Sequence, residues 1–152
     1  MSEFVPSSRV LLGQSAGSVD DVLRLLADKA VELGLSADAA GVYDAFKARE
    51  AEGTTGMMGG FAIPHAKSDA ITESGIIVVK FSEGVEWPSM DNEPVTCAIA
   101  LLTPASEAGT THLQLLSKIA VLLMDEGFRT KVLAISDAEK IAELVNEGLS
   151  QE

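Results

Sequence analysis

The chain contains the segment GGFAIPHAK at positions 59–67, which is its most informative stretch. Residues 61–63 favour a short strand, and Pro64 should end that strand because it has no N–H to donate to a ladder. His65 is therefore expected at the end of a strand, where α/β folds commonly place their ligand sites. Only one other histidine, His112, occurs in the chain.

Two longer strands are predicted beyond this segment. Residues 76–81 (IIVVKF) and 95–102 (VTCAIALL) are almost entirely apolar and rich in β-branched side chains. This composition is typical of strands that are covered on both faces. A shorter apolar run at 9–12 ends in Gly13 and is compatible with a further strand.

Helical periodicity lies on both sides of the strands, with capping residues that mark where each helix begins or ends. The predicted helices run from Ser18 to Gly34, from Ser36 to Gly53, onward from Thr110 or Thr111, over 128–133, and from Ser136 to Gly148. No repeat or linker interrupts this order. The sequence therefore predicts one α/β domain over residues 1–152, with a core at about 8–148.

Composition excludes several classes of partner. Eleven Lys and Arg stand against 23 Asp and Glu, which gives a formal net charge of −12 over 152 residues. Such a chain repels phosphate backbones and anionic lipid headgroups, so we expect neither nucleic acid nor a membrane surface as a partner. A partner with a basic face is expected instead.

Cysteine content and the N-terminus indicate a cytoplasmic protein. Cys97 is the only cysteine and lies in an apolar stretch, so it is interpreted as an inert core thiol. Glu3 stands where a signal peptide carries positive charge, and no apolar run approaches the length of a spanning helix. We therefore expect a soluble, cytoplasmic chain.

The positions of the two histidines suggest phosphoryl chemistry. His112 falls in the first turn of a predicted helix, where backbone N–H groups and the helix dipole attract anions and disfavour imidazolium. A neutral imidazole is a nucleophile at neutral pH, and a phosphoryl group is a suitable anion for it to attack. Residues 65 and 112 have no zinc-site spacing, and no Walker A or G-x-G-x-x-G motif occurs, so we expect no metal and no cofactor.

A different chemistry is suggested by residues 13–17, GQSAG, which match the G-x-S-x-G nucleophile elbow. A serine hydrolase that uses Ser15 is therefore an alternative. Against it, the helix is predicted to begin only at Ser18, after the motif, and a small chain would still have to supply the acid and the histidine. A flexible turn is the simpler interpretation.

Five segments together resemble the signature of one family, the enzyme IIA domains of the bacterial phosphoenolpyruvate-dependent sugar phosphotransferase system, fructose and mannitol class. They are Arg49-Glu50, residues 53–56 (GTTG), residues 59–67, Pro104 ahead of Thr111-His112-Leu113, and residues 125–129 (DEGFR). The resemblance extends from about Val10 to Val145.

This resemblance implies a mixed central sheet flanked by helices and a definite role for three residues. His65 would carry the phosphoryl group on its tele nitrogen, taking it from the carrier HPr and passing it to an enzyme IIB domain. His112 would stabilise the phosphoryl group and Arg49 would supply positive charge. No cofactor is implied, and the membrane would be involved only indirectly, through enzyme IIC.

The resemblance leaves the biological role open. Fructose is the preferred sugar, with a mannitol-like sugar as the next candidate, and a regulatory enzyme IIA of the nitrogen-related branch is the alternative to transport. Whether the domain acts alone or within a longer chain is also open. The charge of −12 suggests an acidic rim around His65 that steers a basic carrier toward it.

Overall fold

A computed structural model describes residues 4–107 and 109–150, with only the backbone described for residues 110–112. These residues form five strands, five α-helices and two short 3₁₀ helices, Ser7–Arg9 and Ala105–Glu107. The strands are β1 (Val10–Gln14), β2 (Phe61–Ala62), β3 (His65–Ser68), β4 (Gly75–Val85) and β5 (Val95–Pro104). The helices are α1 (Val19–Glu32), α2 (Ala39–Glu52), α3 (Thr110–Met124), α4 (Glu126–Ala134) and α5 (Ala138–Ser150).

The five strands form one mixed sheet in the order β1-β4-β5-β2, with β3 also paired to β5. β4 and β5 are antiparallel, whereas β1 is parallel to β4, and both β2 and β3 are parallel to β5. The predicted mixed α/β domain is therefore confirmed. β2 and β3 follow one another along the same edge of β5, which makes β3 an edge strand.

Helices cover both faces of the sheet. Along β5, Ala98, Ala100 and Leu102 pack toward α1 and α2, while Cys97, Ile99 and Leu101 pack toward the other three helices. This alternation is the period-2 geometry of a strand, and burial on both faces explains the continuous apolar sequence. The prediction of buried central strands is correct, and β4 extends past the predicted residue 81 to Val85.

Pro64 interrupts the edge strand without ending it, which corrects the sequence prediction. Ile63 and Pro64 separate β2 from β3, yet the carbonyl of Pro64 still accepts a hydrogen bond of 3.0 Å from the N–H of Leu101. A proline lacks only the donor, so an edge position lets it keep its acceptor in the ladder. His65 consequently begins β3, opposite Leu101, three residues after β2 ends at Ala62.

Several predicted helix boundaries are also wrong. At α5, the carboxylate of Asp137, not the hydroxyl of Ser136, accepts hydrogen bonds of 2.9 and 3.3 Å from the N–H groups of Glu139 and Lys140. Asp38, not Ser36, caps α2 through a hydrogen bond of 3.0 Å from Gly41 N–H, while the hydroxyl of Ser36 donates to the carbonyl of Ala70. Gly109, not a threonine, is the N-cap residue of α3. Gly148 does not end α5, which continues to Ser150. The glycine instead lies where a Cβ would come within 2.7 Å of the Leu122 side chain.

A surface cluster joins α1 to α2 and so fixes the helix that carries Arg49. The carboxylate of Asp20 accepts hydrogen bonds from the Tyr43 hydroxyl, from Arg24 at 3.0 Å and from Lys47 at 3.2 Å. These hydrogen bonds, that of Tyr43 above all, lower the pKa of Asp20 to about 2. Within the described residues, no helix has the length and apolar character needed to cross a membrane.

Candidate functional site

An open cavity of about 310 Å³ lies at the β3 edge of the sheet, between α2 and α3. Helix α2 contributes its last two turns, β3 contributes His65 and Lys67, and α3 contributes its first turns. The residues that line the cavity are Ala45, Ala48, Arg49, Glu52, His65, Lys67, Leu113 and Leu116. The edge strand thus presents the histidine in a cleft between the two helical layers.

The hydrogen bonds of the His65 ring define its tautomer. Nδ1 lies 2.9 Å from the carbonyl oxygen of Ile63, and Nε2 lies 2.9 Å from Nε of Arg49. A carbonyl oxygen can only accept and a guanidinium N–H can only donate, so Nδ1 carries the proton and Nε2 offers its lone pair. The ring is therefore a neutral imidazole whose unprotonated nitrogen, Nε2, faces Nε of Arg49.

The surroundings of His65 favour this neutral form. Burial is the main cause that lowers the pKa of His65 below its ordinary value, and the positive charge of Arg49 acts in the same direction. The hydrogen bond to the Ile63 carbonyl opposes them by favouring the protonated ring. The net effect keeps His65 uncharged and nucleophilic at neutral pH.

Arg49 is held at the C-terminal end of α2, one turn before the helix stops. Its Nη1 donates a hydrogen bond of 2.8 Å to the carbonyl of Gly53, and its Nε donates to His65. Gly53 has a φ of 156°, which suits glycine and turns the chain so that its carbonyl meets the guanidinium. The sequence did place Arg49 at a helix end, but its contact with His65 emerges only from the fold.

The charges of the described cavity lining favour an anion. The lining contains two cationic side chains, Arg49 and Lys67, and one carboxylate, Glu52. Lys67 lies two residues after His65 on β3 and so on the same face of the strand. Because this lining is on balance positive, it is suited to an anionic group, and an acidic rim outside the lining stays a prediction.

His112 belongs to the first turn of α3, as predicted, but its side chain lies outside the described part of the structure. The next residue, Leu113, lines the cavity together with His65 and is 62% exposed. The helix turn that contains His112 therefore borders the site. The role of His112 stays a prediction.

Glu50 is a residue near the site that sequence reasoning left without a role. Its Oε1 accepts hydrogen bonds from Thr55 N–H at 2.8 Å and from Trp87 Nε1 at 3.0 Å, and its Oε2 accepts one from the Thr55 hydroxyl at 2.7 Å. The available sequence signal for this contact was the pair Thr54-Thr55, four and five residues after Glu50, in the turn that follows the helix. Trp87, interpreted from the sequence as packing, is buried and also holds this carboxylate.

The two other reactive side chains singled out from the sequence lie away from the cavity. Cys97 is fully buried, and burial raises the pKa of its thiol to about 12, which agrees with an inert core position. The hydroxyl of Ser15 lies 3.3 Å from that of Ser82, in a cavity whose described lining contains no histidine. Although Asp21 and Glu83 line the same cavity, its described lining supplies no histidine to complete a serine-hydrolase triad.

The fold and the histidine site together define a component of a phosphotransferase system. A family model described as "Phosphoenolpyruvate-dependent sugar phosphotransferase system, EIIA 2" matches residues 3–148, and the chain belongs to this family. The family resemblance noted in the sequence is thereby confirmed. Among the described side chains, no group of three or more His, Cys, Asp or Glu residues could hold a metal ion.

Curated relatives come from more than one branch of this family. The chain is 31% identical to a "PTS system fructose-specific EIIA component" of Haloferax volcanii over 147 residues, covering 97% of this chain and 95% of the relative. It is 33% identical to a "Nitrogen regulatory protein" of Bradyrhizobium diazoefficiens over 141 residues, covering 93% and 91%. Sequence identity therefore does not separate transport from regulation.

Solved structures confirm the fold. The nitrogen regulatory protein IIA-Ntr of Neisseria meningitidis superimposes with a TM-score of 0.86 at 28% identity, covering 94% of this chain and 97% of that one. The mannitol enzyme IIA of Escherichia coli, solved as a complex with phosphorylated enzyme IIB, superimposes with a TM-score of 0.77 at 19% identity, covering 93% and 96%. The second likeness, at its low identity, supports the fold alone.

Proposed function

We propose that the chain is a phosphoryl carrier in which Nε2 of His65 accepts the phosphoryl group of phospho-HPr and passes it to an enzyme IIB domain. The observation that carries this proposal is the hydrogen bonding of the ring. Because Nδ1 donates to the carbonyl of Ile63, the lone pair lies on Nε2, the tele nitrogen, beside Arg49. Family membership supplies the class of reaction.

The transfer balances without a proton being delivered to His65. A bond forms between Nε2 and phosphorus while the donor's N–P bond breaks, and the donor nitrogen keeps that electron pair. The proton on Nδ1 remains hydrogen bonded to Ile63, so the phosphorylated ring is cationic beside the anionic phosphoryl group. In the next transfer the Nε2–P bond breaks and His65 leaves as a neutral imidazole.

Arg49 has a different partner before and after the transfer. Its Nε hydrogen bonds to the lone pair that must form the new bond, so this contact has to break when phosphorus approaches. The guanidinium stays tethered through Nη1 to Gly53, within reach of the phosphoryl oxygens. Arg49 thus changes from a partner of the nucleophile to a partner of the transferred group, which is the positioning and charge stabilisation that phosphoryl transfer needs.

Two further side chains complete the proposed phosphoryl site. Lys67 shares the cavity lining and the β3 face with His65, and it offers a second positive charge to a phosphoryl dianion. His112, in the turn next to Leu113, is proposed to hydrogen bond to the phosphoryl oxygens. The site needs no cofactor of its own, and sugar is not bound here.

We further propose that residues 1–152 act as one enzyme IIA domain in the cytoplasm and reach the membrane only through enzyme IIC. Fructose is the preferred sugar, since the sequence around His65 most resembles that branch and a fructose-specific EIIA component is 31% identical. A mannitol-like sugar is the next candidate. A regulatory role is the second candidate function, favoured by the TM-score of 0.86 to IIA-Ntr.

Phosphoryl transfer between purified components tests the proposal. The chain is incubated with phosphoenolpyruvate, enzyme I and HPr, and then with a panel of enzyme IIB domains of the fructose and mannitol classes. Labelling followed by transfer to one fructose-class IIB supports the transport role, and labelling with transfer to none supports the regulatory one. Absence of any labelling by phospho-HPr contradicts the carrier function.

A further inference from the structure

Hydrogen bonds from Thr54, Thr55 and Trp87 anchor the Glu50 carboxylate next to the turn that follows α2, with the Thr54 hydroxyl the most distant donor at 3.4 Å. The Thr55 N–H and hydroxyl donate to it at 2.8 and 2.7 Å, and Trp87 Nε1 donates at 3.0 Å. Thr55 and Trp87 are almost completely buried, with exposed fractions of 6% and 3%. Hydrogen bonds to a charged acceptor in such a position are the strong ones, and they fix the position of Thr55 relative to the end of α2.

The same Thr55 is linked to His65 through one residue. Its carbonyl accepts a hydrogen bond of 3.0 Å from the N–H of Ile63, and the carbonyl of Ile63 accepts that of His65 Nδ1 at 2.9 Å. Since His65 Nε2 accepts from Arg49, and Arg49 precedes Glu50 on α2, the contacts form a closed circuit. The C-terminal end of α2 is therefore connected to both ring nitrogens of His65. Arg49 contacts Nε2, and Glu50 is linked to Nδ1 through Thr55 and Ile63.

From this circuit we infer that Glu50 is a positioning residue for His65, keeping the proton on Nδ1 and Nε2 available for reaction. Glu50 acts on the tautomer through Thr55 and Ile63 and does not touch the ring or the reacting atoms. Its charge acts on the ring only by raising the pKa of His65 against the larger effect of burial. The inference rests on the proposed function only in that Nε2 is the nitrogen to be phosphorylated. The tautomer itself is a property of the unmodified protein.

The geometry distinguishes two substitutions at this position. In Glu50→Gln, Oε1 can still accept from Thr55 N–H and Trp87, and the amide NH₂ can donate to the Thr55 hydroxyl in place of the lost acceptor. In Glu50→Ala all of these contacts disappear, and the turn that holds the Ile63 carbonyl loses its anchor. Glutamine should therefore preserve the ring tautomer, and alanine should not.

Nitrogen NMR on ¹⁵N-histidine-labelled protein reads the tautomer directly, with the His65 signals assigned from a His65→Gln variant. The wild type is expected to show Nδ1–H, and Glu50→Ala a mixture of Nδ1–H and Nε2–H. The rate of His65 phosphorylation by phosphoramidate, a small donor that needs no protein partner, should fall roughly 10- to 100-fold in Glu50→Ala. Glu50→Gln should recover most of that rate.

The controls separate positioning from general loss of structure. Asp44→Ala removes an exposed carboxylate from the same helix and should change neither tautomer nor rate. A folded Glu50→Ala variant with wild-type tautomer and rate would overturn the inference. If Glu50→Ala does not fold, Thr55→Val takes its place, because it removes only the hydroxyl contact; it should shift the tautomer, and an unchanged tautomer would overturn the inference.

The two proposals fail in different ways. If phospho-HPr does not label the wild type but the tautomer still depends on Glu50, the carrier function is wrong and the positioning role stands. If the wild type is labelled at His65 but the tautomer of His65 is the same in Glu50→Ala, the carrier function stands and the positioning role is wrong.

Discussion

Nε of Arg49 donates a hydrogen bond of 2.9 Å to Nε2 of His65, the nitrogen that we propose becomes phosphorylated. The arginine therefore competes with the incoming phosphorus atom for one lone pair. Its second contact, from Nη1 to the carbonyl of Gly53, is independent of the ring and can persist throughout the transfer. This relationship makes Arg49 the residue whose removal should change both the titration and the reactivity of His65.

Replacing Arg49 with glutamine should raise the pKa of His65 relative to the wild type, because the arginine charge is one of the causes that lower it. The same variant should be phosphorylated on the order of 10²-fold more slowly, since the transferred group loses a charged donor. NMR titration of the ring measures the pKa of His65, and labelling reactions quenched at timed intervals measure the phosphorylation rate. Arg24→Gln, an exposed arginine on α1, is the matched control, and equal pKa values and rates in both variants would contradict the assignment.

The rate of His65 phosphorylation should depend on pH through the neutral ring. Burial and Arg49 hold the pKa of His65 below its ordinary value of about 6.5. We therefore expect a constant rate near neutrality and a decline only at a pH below 6.5, as the ring becomes protonated. A decline centred at or above 6.5, measured with a donor whose own reactivity has been corrected for, would contradict the lowered pKa.

The same lowered pKa predicts a pH dependence of stability. Between the folded and unfolded pKa values of His65, the unfolded chain binds more protons, so the free energy of unfolding rises with pH across that interval. The contribution is complete above about 6.5 and is lost as the pH falls toward the folded pKa. Urea unfolding at several pH values should show this loss in the wild type, and His65→Gln should lack that part of it.

His112→Ala tests the residue whose side chain is not described. Its place in the first turn of α3, beside the cavity, leads us to expect that phosphate still arrives at His65 but moves on to enzyme IIB more slowly, on the order of 10²-fold for one lost donor. Single-turnover transfer from the phosphorylated variant measures the second step by itself. Wild-type transfer in both steps would reduce His112 to a structural residue.

Lys80 provides a test of the fold that is independent of the site. Its ammonium group donates to the carbonyls of Val132, Leu133 and Ile135 at 3.0, 3.1 and 2.7 Å, at the C-terminal end of α4. Lys80→Met keeps the aliphatic chain and removes these contacts, so it should lower the free energy of unfolding by about 2 kcal/mol. Urea unfolding checks this value, with the exposed Lys140→Met as the control. An equal effect of both substitutions would contradict the assigned capping role.

Sequence periodicity was sufficient to predict the central sheet and the helices around it, because both faces of β4 and β5 are buried and their apolar runs are continuous. The prediction that Pro64 ends the ladder is wrong because a proline in an edge strand can still accept a ladder hydrogen bond. Whether a strand lies at an edge is a property of the whole sheet and not of the local sequence. The predicted end of α5 at Gly148 is wrong for a related reason, since this glycine lies inside the helix and allows it to pack closely against Leu122. Local residue preferences cannot report either tertiary contact.

The site was predictable to a similar extent. The Pro64-His65 pair and the helix-end Arg49 stand out in the sequence, but 16 positions separate the arginine from the histidine. Their contact depends on β3 pairing beside the end of α2. Glu50 was missed because its role depends on a relay through Thr55 and Ile63, which no spacing rule describes.

Labelling of His65 is the measurement that tests the central claim most directly. Wild type and His65→Ala are incubated with phosphoenolpyruvate, enzyme I and HPr, and the phosphate bound to each protein is counted before and after mild acid. The account predicts one acid-labile phosphoryl group per wild-type chain and none on His65→Ala. An acid-labile label of equal stoichiometry on the folded His65→Ala variant would contradict it.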